Sequence, residues 1–309
     1  RLDASDEHLY TKAPGLEHKY EFTAVLLLSD VCGGFCRFCF RKRLFMSDSA
    51  ETSRDVSEGV KYIRENPQIS NVLLTGGDPL MLSAKRLDKV LTDLRAIEHV
   101  KIIRVGTKMP VFNPYRVLND PELLKVLERH SHEDRRIYMM VHFNHPRELT
   151  KEAIRGIDLL HQAGTITANQ TPLLRGVNDD PAVLSELFNQ LSYIGVAPYY
   201  LFIGRPTQGN RHFLVPIEEA YEIFEKSRMN CSGLAKRARL VMSHSTGKVH
   251  VIGLTDEHIY MRYHRAADYD EKGRFLVLRR NPEALWLDDY DEIEKDFSIE
   301  NPFLRAGHY

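Results

Sequence analysis

The sequence predicts an α/β protein built as a partial (β/α)6 barrel of the TIM type, with a small β appendage near its C-terminal end. Two patterns support this prediction. Short apolar runs alternate with amphipathic runs along most of the chain, and chemically unusual segments follow the apolar runs. Continuous apolar strands separated by helices indicate a parallel sheet that is covered by helices. Six such units indicate an incomplete barrel, because a closed TIM barrel has about eight of them.

The apolar runs predict strands at residues 24–29, 71–75, 100–105, 137–142, 165–170 and 199–203. The amphipathic runs that follow them predict helices at residues 53–66, 83–97, 121–129, 151–163, 181–194 and 217–227. Beyond about residue 233 the pattern changes, and an antiparallel β appendage is predicted from runs at 249–253, 258–263 and 275–278. The predicted division is an N-terminal segment over 1–22, the barrel over 23–233 and a C-terminal extension over 234–309.

Bulk composition narrows the class of protein. The chain has 309 residues, of which 43% are hydrophobic, and its 42 basic side chains nearly balance 43 acidic ones. This length fits one large barrel or two modest domains. Balanced charge argues against a nucleic-acid partner, and no apolar run is long enough to span a bilayer. Charged opening residues unlike a signal peptide, and few cysteines, predict a cytoplasmic protein with no membrane partner.

Three cysteines lie close together after the first predicted strand. Cys32, Cys36 and Cys39 have the spacing C-x3-C-x2-C, and the next cysteine, Cys231, lies in an unrelated helical stretch. One alternative is a disulfide with a spare thiol, and another is a zinc site, which usually needs a further Cys or His ligand. The spacing instead favours a [4Fe–4S] cluster held by three thiolates, with one iron open to a substrate or cofactor.

Other unusual segments also follow predicted strands. They are Gly-Gly-Asp at 76–78, Gly-Thr-Lys at 106–108, His-Phe-Asn-His-Pro at 142–146, Asn-Gln at 169–170 and Gly-Arg-Pro at 204–206. The carboxyl ends of parallel strands lie on one face of such a barrel, and that face carries the active site. The cysteine loop and these segments are therefore expected to surround a single site.

Together these motifs resemble the radical S-adenosylmethionine (SAM) superfamily and, more narrowly, the lysine 2,3-aminomutase family. The resemblance covers roughly residues 15–248. It rests on LEHKY at 16–20, the cysteine loop with RKR at 41–43, LLTGGD at 73–78, HFNHP at 142–146 and NQTPLLRGVN at 169–178. Any one of these motifs alone is a weak signal, whereas several together are specific.

The resemblance implies an isomerase with a shared radical mechanism. The cluster would bind the amino and carboxylate groups of SAM and donate one electron, releasing a 5′-deoxyadenosyl radical that takes a hydrogen atom from the substrate. In the aminomutases, pyridoxal phosphate (PLP) holds the substrate amine as an imine while the amino group migrates from C2 to C3. The expected partners are a small amino-acid substrate and an electron donor such as flavodoxin or ferredoxin, and a homo-oligomer is compatible with this chemistry.

Matching positions imply the residues that would bind SAM, which are Phe38, Gly76, Gly77, Asp78, His142 and Gln170. The glycines lack a Cβ and allow a ligand to approach the backbone closely. For Asp78 the alternative role is to cap the helix that follows it, and for His142 it is a purely structural buried position. His145 with Pro146 is expected only to shape a turn.

The resemblance also implies PLP-binding residues, namely Lys248, Lys19 and Tyr20. Lys248 would be the catalytic Schiff-base lysine, which needs an amine that can lose its proton. Of the glycines that precede this lysine in the family, only Gly247 remains, and an ordinary surface lysine is the alternative. Lys19 and Thr23 stand where the family has two phosphate-binding arginines, so one cation is lost.

Two arginines are the expected substrate-binding residues. Arg41 matches the family arginine that binds the substrate α-carboxylate, a task suited to a guanidinium fork, whereas Lys42 and Arg43 could be surface charges. In the lysine mutases of this family, two aspartates hold the distal ammonium of lysine. Arg205 aligns with one of these aspartates, and the second aspartate aligns near residues 241–242. We therefore expect an acidic amino acid such as glutamate or aspartate instead of lysine. The alternative partner of Arg205 is an internal carboxylate or a cofactor phosphate.

Two other functions stay open at this point. One is a different radical SAM enzyme on the same scaffold, a dehydrogenase, lyase or fragmentation catalyst without PLP, which the altered lysine loop allows. The other is an iron–sulfur sensor or scaffold, which the full set of cofactor motifs disfavours.

Overall fold

The computed structural model describes residues 2–46, 51–291 and 293–298, and within them thirteen strands form one continuous sheet. The strands have the same order in the sheet as in the sequence. Their bounds are β1 Thr11–Ala13, β2 Leu16–Tyr20, β3 Thr23–Ser29, β4 Asn71–Gly76, β5 Ile102–Thr107, β6 Ile137–Val141, β7 Ile166–Pro172, β8 Ala197–Phe202, β9 Arg239–His244, β10 Gly247–Leu254, β11 His258–Ala266, β12 Phe275–Arg279 and β13 Ile293–Phe297.

The α-helices pack around the parallel part of this sheet. Their bounds are α1 Ser57–Glu65, α2 Ala84–Arg95, α3 Met109–Phe112, α4 Tyr115–Leu118, α5 Pro121–His130, α6 Lys151–Gln162, α7 Pro181–Tyr193 and α8 Ile217–Met229. Four of the longer helices begin at a residue whose side-chain oxygen accepts a backbone N–H, namely Ser83, Asp120, Thr150 and Asp180. Over the described residues, none of the helices is both long and apolar enough to cross a membrane.

Seven consecutive strands, β3 to β9, run parallel to one another. Each of β3 to β8 is followed by at least one helix, so the six predicted βα units are confirmed. The seventh parallel strand, β9, was not predicted. It leads directly into β10 through a two-residue turn instead of into a helix, so it lacks the pattern that marked the others.

Antiparallel strands extend the sheet at both edges. On one edge, β1 and β2 pair antiparallel with each other and with β3. On the other, β9 to β13 are successively antiparallel, so the predicted β appendage is confirmed and gains a further strand. Backbone pairing continues across residues 22 and 233, where domain boundaries are predicted. The division into three segments stays a prediction.

The two faces of the parallel strands have different neighbours. Leu26 and Leu74 are fully buried in the core against the helices, which supply residues such as Leu87 and Leu91 at helical spacing. Alternate positions on the same strands, such as Val25, line a cavity on the inner face. The outer face of these strands is therefore packed in the core, whereas the inner face is open to the cavity.

The sheet curls until distant strands meet through side chains. Arg265 of β11 donates from Nη2 to Oγ1 of Thr23, the first residue of β3, at 2.5 Å. The hydroxyl of Tyr10 donates to the carbonyl of Ser245 in the β9–β10 turn at 2.7 Å. The inner face therefore encloses a cavity, although the β1 and β13 edges do not pair with each other.

Candidate active site

A cavity of about 630 Å³ lies within the curled sheet, and every strand from β2 to β10 contributes to its wall. Segments that follow each of β3 to β8, and the segment that precedes β1, complete it. All fourteen predicted site residues line this cavity, namely Cys32, Cys36, Cys39, Phe38, Gly76, Gly77, Asp78, His142, Gln170, Lys19, Tyr20, Arg41, Arg205 and Lys248. The expected convergence on one face is therefore present, while the individual roles stay predictions.

The three clustered cysteines are partly exposed free thiols on the loop after β3. Burial is the main cause that raises the pKa of Cys32 to about 12 and that of Cys36 to about 11. Burial also raises the pKa of Cys39. The thiols are therefore protonated at neutral pH without metal, and metal binding would release protons.

The donor set fits an iron–sulfur cluster, because three unpaired thiols lie on one short loop at a cavity. Within the described ranges, no three Cys, His, Asp or Glu side chains are already gathered around a point that could hold a metal ion. Cys231 lies elsewhere, just beyond α8, with its Sγ 3.3 Å from the carbonyl of Ser227. The expectation that it is no partner of the clustered thiols agrees with this position.

The Gly-Gly-Asp segment packs directly on the start of the cysteine loop. The N–H of Gly77 donates to the carbonyl of Ser29 at 2.5 Å, and the N–H of Asp78 donates to that of Val31 at 2.8 Å. Gly76 has a φ of +117°, and a Cβ on Gly77 would lie 2.2 Å from the carbonyl oxygen of Val31. Only glycine fits these two positions, which hold the cysteine loop against the end of β4.

Asp78 is fully engaged by the protein. Its carboxylate accepts the N–H of Leu80 at 3.0 Å, which caps a short 3-10 helix at Pro79–Met81. It also accepts the Thr107 hydroxyl at 2.8 Å and the N–H of Lys108 at 2.7 Å. Burial raises its pKa against the effect of these bonds. The capping role is therefore present, and the SAM-binding role of Asp78 stays a prediction.

His142 follows β6 and lines the cavity. Burial, with a smaller contribution from Lys108, lowers its pKa to about 4, so its imidazole is neutral at physiological pH. A neutral imidazole can both donate and accept a hydrogen bond. Farther along, His145 accepts the N–H of Arg147 through Nδ1 at 3.1 Å and caps a short helix at Pro146–Glu148, so its turn-shaping role is confirmed.

Three arginines converge on Glu7 in what we call the Glu7 cluster, made of Glu7, Arg41, Arg43 and Arg205. Nitrogens of the arginines lie 3.1 Å, 2.7 Å and 3.1 Å from the Glu7 carboxylate, for Arg41, Arg43 and Arg205 respectively. Arg43 is only 8% exposed and also pairs with Glu51, so the expectation of a surface charge is wrong for this residue. Arg43 points inward because it forms an ion pair with the buried carboxylate of Glu7.

The two carboxylates beside these arginines, Glu7 and Glu17, were not identified from the sequence. Burial would raise the pKa of Glu7, but Arg41, Arg205 and Arg43 together hold it well below its ordinary value. Glu17 lies beside it, 3.5 Å from Arg41, and burial followed by the charge of Glu7 raises its pKa to about 7. Nothing in the charged N-terminal residues distinguishes Glu7 from its neighbours, so only the folded contacts reveal it.

Arg205 has an internal carboxylate partner in Glu7, which is one of the alternatives considered for it. Its guanidinium also stacks on the ring of Phe40 at 3.7 Å from the centroid. The positions aligned with the second aspartate, Val241 and Met242, are fully buried and apolar. Of these aligned positions, only Arg205 lines the cavity.

Lys248 is buried and lines the same cavity, so the surface-lysine alternative does not hold. Its Nζ lies 3.4 Å from the hydroxyl of Ser243 and 4.5 Å from the ring centroids of both Tyr200 and Phe202. Within the described chain it has no carboxylate in ion-pair contact. Burial, followed by the charge of Arg265, lowers its pKa well below the ordinary value. Burial therefore favours the uncharged, nucleophilic form of this amine.

Lys19 and Tyr20 of β2 lie beside this lysine. The Lys19 ammonium donates to the carbonyl of His244 at 2.5 Å. Burial, followed by the charge of Arg205, lowers its pKa to about 8. Burial raises the pKa of Tyr20 to about 12, and the guanidinium of Arg265 lies 4.1 Å from the centroid of its ring. Arg265 was not singled out in the sequence, because it lies beyond the matching region.

The barrel region matches the sequence model of a known protein superfamily. The model of the radical SAM superfamily matches residues 26–187. The chain also resembles a solved structure, the Streptococcus suis protein SuiB bound to SAM, with a TM-score of 0.53 at 12% identity over 72% of this chain and 51% of that one. At this identity the likeness concerns the fold alone, and the predicted fold class is confirmed.

Curated relatives narrow the family. A putative L-lysine 2,3-aminomutase of Aquifex aeolicus is 56% identical over 96% of this chain and 80% of its own length. The L-lysine 2,3-aminomutase of Fusobacterium nucleatum is 39% identical, over 76% of this chain and 54% of its own length. The glutamate 2,3-aminomutase of Clostridioides difficile is 34% identical, over 76% of this chain and 54% of its own length.

The chain therefore spans most of the first relative and about half the length of the other two. The relatives carry the names of amino-acid 2,3-aminomutases that act on different substrates, and the predicted enzyme class is confirmed at the level of the family. The chain belongs to the radical SAM superfamily and, within it, to the lysine 2,3-aminomutase-like family.

Proposed function

We propose that this chain is a radical SAM amino-acid 2,3-aminomutase that moves an amino group from C2 to C3 of an acidic amino acid, with PLP as a second cofactor. One observation carries the proposal. A single cavity is lined both by three free cysteines and by a buried lysine that, over the described residues, lacks a carboxylate partner. The first feature suits a cluster and the second suits a carbonyl cofactor.

A [4Fe–4S] cluster and SAM are the cofactors of this superfamily. When bound, they supply an organic radical that takes a hydrogen atom from the substrate. Cys32, Cys36 and Cys39 would lose their protons to bind the cluster. The backbone of Gly76 and Gly77 holds the loop that carries them. Around SAM we assign the residues implied by the family motifs, which are Phe38, Gly76, Gly77, Asp78, His142 and Gln170.

Lys248 would bind PLP through its side-chain amine. PLP, when bound, supplies a carbonyl that carries the substrate amine. Burial lowers the pKa of the Nζ, which favours the unprotonated form that can act as a nucleophile. The rings of Tyr200 and Phe202 cover it and exclude water from that side. Lys19 and Tyr20 would complete the PLP site.

Arg41 would bind the α-carboxylate of the substrate through its guanidinium, which lines the cavity while Glu7 holds it in place. Arg205 would recognise a second carboxylate. It uses one terminal nitrogen on Glu7 at 3.1 Å, and its other donors are available for an acidic side chain. An ammonium side chain would be repelled by Arg205 in a cavity poor in water.

The test is a comparison of substrates with anaerobically reconstituted, reduced enzyme containing SAM and PLP. We expect glutamate or aspartate to yield its 3-amino isomer, with lysine slower by at least about tenfold, a preference that one repelled charge can produce. Turnover of lysine with none of the acidic amino acids would contradict the substrate assignment. Formation of 5′-deoxyadenosine with no aminomutase product from any amino acid would favour a PLP-independent radical enzyme.

A control variant separates recognition from folding. Arg211→Gln, at an exposed arginine farther along the same loop and outside the cavity lining, is the control and should leave the KM and kcat for an acidic substrate unchanged. Arg205→Gln should raise the KM for the acidic substrate by about tenfold or more, because a hydrogen-bonded charge is lost. An unchanged KM in Arg205→Gln would contradict the assigned role. An electron donor such as flavodoxin or ferredoxin, and a cytoplasmic location, remain part of the proposal.

A further inference from the structure

Arg265 lies on one side of the curled sheet and contacts residues of β2 and β3 on the other side. It lies on β11, and its Nη2 donates to the Thr23 hydroxyl on β3 at 2.5 Å. The same guanidinium lies over the Tyr20 ring at 4.1 Å. Thr23 and Tyr20 both line the cavity, so the positive charge of Arg265 stands directly behind its wall.

The strand register places Arg265 on the same side of the sheet as Lys248. Lys248 of β10 and Arg265 of β11 are directly opposite each other in the antiparallel pairing. Residues that face each other in this way project from the same side of the sheet, with their Cβ atoms roughly 5 Å apart. The amine assigned to the cofactor carbonyl therefore lines the cavity, and this guanidinium lies next to it, behind the wall that Thr23 and Tyr20 form.

This end of the cavity has an excess of positive charge. In the described parts of the chain, Arg265, Arg104 and Lys19 form no ion pair with a carboxylate, and Arg104 instead donates to the side-chain carbonyl of Asn71 at 2.8 Å. Burial, followed by the charge of Arg265, lowers the pKa of Arg104 to about 10. Buried cations without counter-ions are unfavourable, so the site is one that a multiply charged anion would stabilise.

A phosphate monoester suits this site, because it carries a charge of about −2 and three oxygens that accept hydrogen bonds. Thr23 occupies the position where the family resemblance places a phosphate-binding arginine, and Arg265 brings a guanidinium to the hydroxyl of that same residue. We propose that Arg265, held by Thr23 and Tyr20, binds the 5′-phosphate of PLP and replaces from β11 the cation missing on β3. This inference rests on the proposed use of PLP.

The test compares the affinity of the reconstituted protein for PLP and for pyridoxal, which lacks the phosphate. Binding is measured by absorbance titration and by the mass of the Lys248-containing peptide after borohydride reduction. Arg265→Gln should weaken PLP binding by roughly tenfold to a hundredfold, the range for a hydrogen bond to a charged group, and leave pyridoxal binding nearly unchanged. Arg262→Gln, an exposed arginine on the same strand, is the matched control and should change neither.

A second variant keeps the inference falsifiable if Arg265→Gln is poorly folded. Thr23→Arg combined with Arg265→Gln returns a guanidinium to the site from β3 and should recover most of the PLP affinity. Far-UV circular dichroism and the midpoint of urea unfolding report whether each variant is folded. If the wild type binds PLP but Arg265→Gln binds it equally well, the inference about Arg265 is wrong. If the wild type binds no PLP, the proposed function itself is wrong.

Discussion

Replacing Glu7 by glutamine should destabilise the fold by about 3–5 kcal/mol, the usual cost of removing one partner from a buried ion pair. The Glu7 carboxylate lies 3.1 Å, 2.7 Å and 3.1 Å from nitrogens of Arg41, Arg43 and Arg205. At an effective dielectric constant of about 20, one unit-charge pair at about 4 Å contributes about 4 kcal/mol. Losing three such pairs outweighs the several kcal/mol that the buried carboxylate itself costs in desolvation.

Urea unfolding at pH 7 measures this loss. Asp93→Asn breaks an exposed pair with Lys89 and is the matched control, expected to cost no more than about 0.5 kcal/mol. The pH dependence supplies a second readout. Because the pKa of Glu7 is lowered on folding, its stabilising contribution is complete above its ordinary pKa of 4.5 and is lost as the pH falls further. A Glu7→Gln variant within about 0.5 kcal/mol of wild type, the range of an exposed pair, would refute this reasoning.

Three other predictions concern the cavity. Lys248→Ala should lose the pyridoxyl adduct that borohydride fixes in the wild type, whereas Lys236→Ala, at an exposed lysine, should retain it; an adduct persisting in Lys248→Ala would contradict the assignment. Because folding raises the pKa of Glu17 to about 7, wild-type stability should fall as the pH rises from about 4.5 to about 7, and Glu17→Gln should lack this fall in urea titrations at several pH values. Equal slopes for both proteins would argue against a buried, proton-binding carboxyl group. Gly77→Ala should reduce iron content after reconstitution and lower stability by about 2 kcal/mol or more, because its Cβ would lie 2.2 Å from a backbone oxygen. Gly233→Ala, which meets nothing within 4 Å, should do neither, and equal effects of the two would refute the steric argument.

The alternation of apolar and amphipathic runs was sufficient to predict the six βα units, because helices pack on the outer face of the strands and each helix is itself buried on one side. The spacing of Cys32, Cys36 and Cys39 and the motifs after each strand were sufficient to bring the site residues to one cavity. These features are local in sequence. Parallel strands then place them together, because their carboxyl ends share one face.

Contacts between distant parts of the chain could not be predicted in this way. Glu7 belongs to a short charged segment, and its three arginine partners lie 34, 36 and 198 residues away. Arg265 meets Thr23 across 242 residues, and only the curl of the sheet joins them. The strand β9 was missed because no helix follows it. Burial of Arg43 likewise depends on a carboxylate from another segment and has no signature in its own neighbourhood.

The most direct test of the central claim follows the migrating nitrogen. Reduced, reconstituted enzyme with SAM and PLP is supplied with glutamate labelled with ¹⁵N on its amino group and ¹³C at C3, and then with aspartate and lysine labelled in the same way. The account predicts a one-bond ¹³C–¹⁵N coupling at C3 of an acidic amino acid, absent when Cys36 is replaced by serine. Cleavage of SAM to 5′-deoxyadenosine with the nitrogen still on C2 in all three amino acids would contradict it.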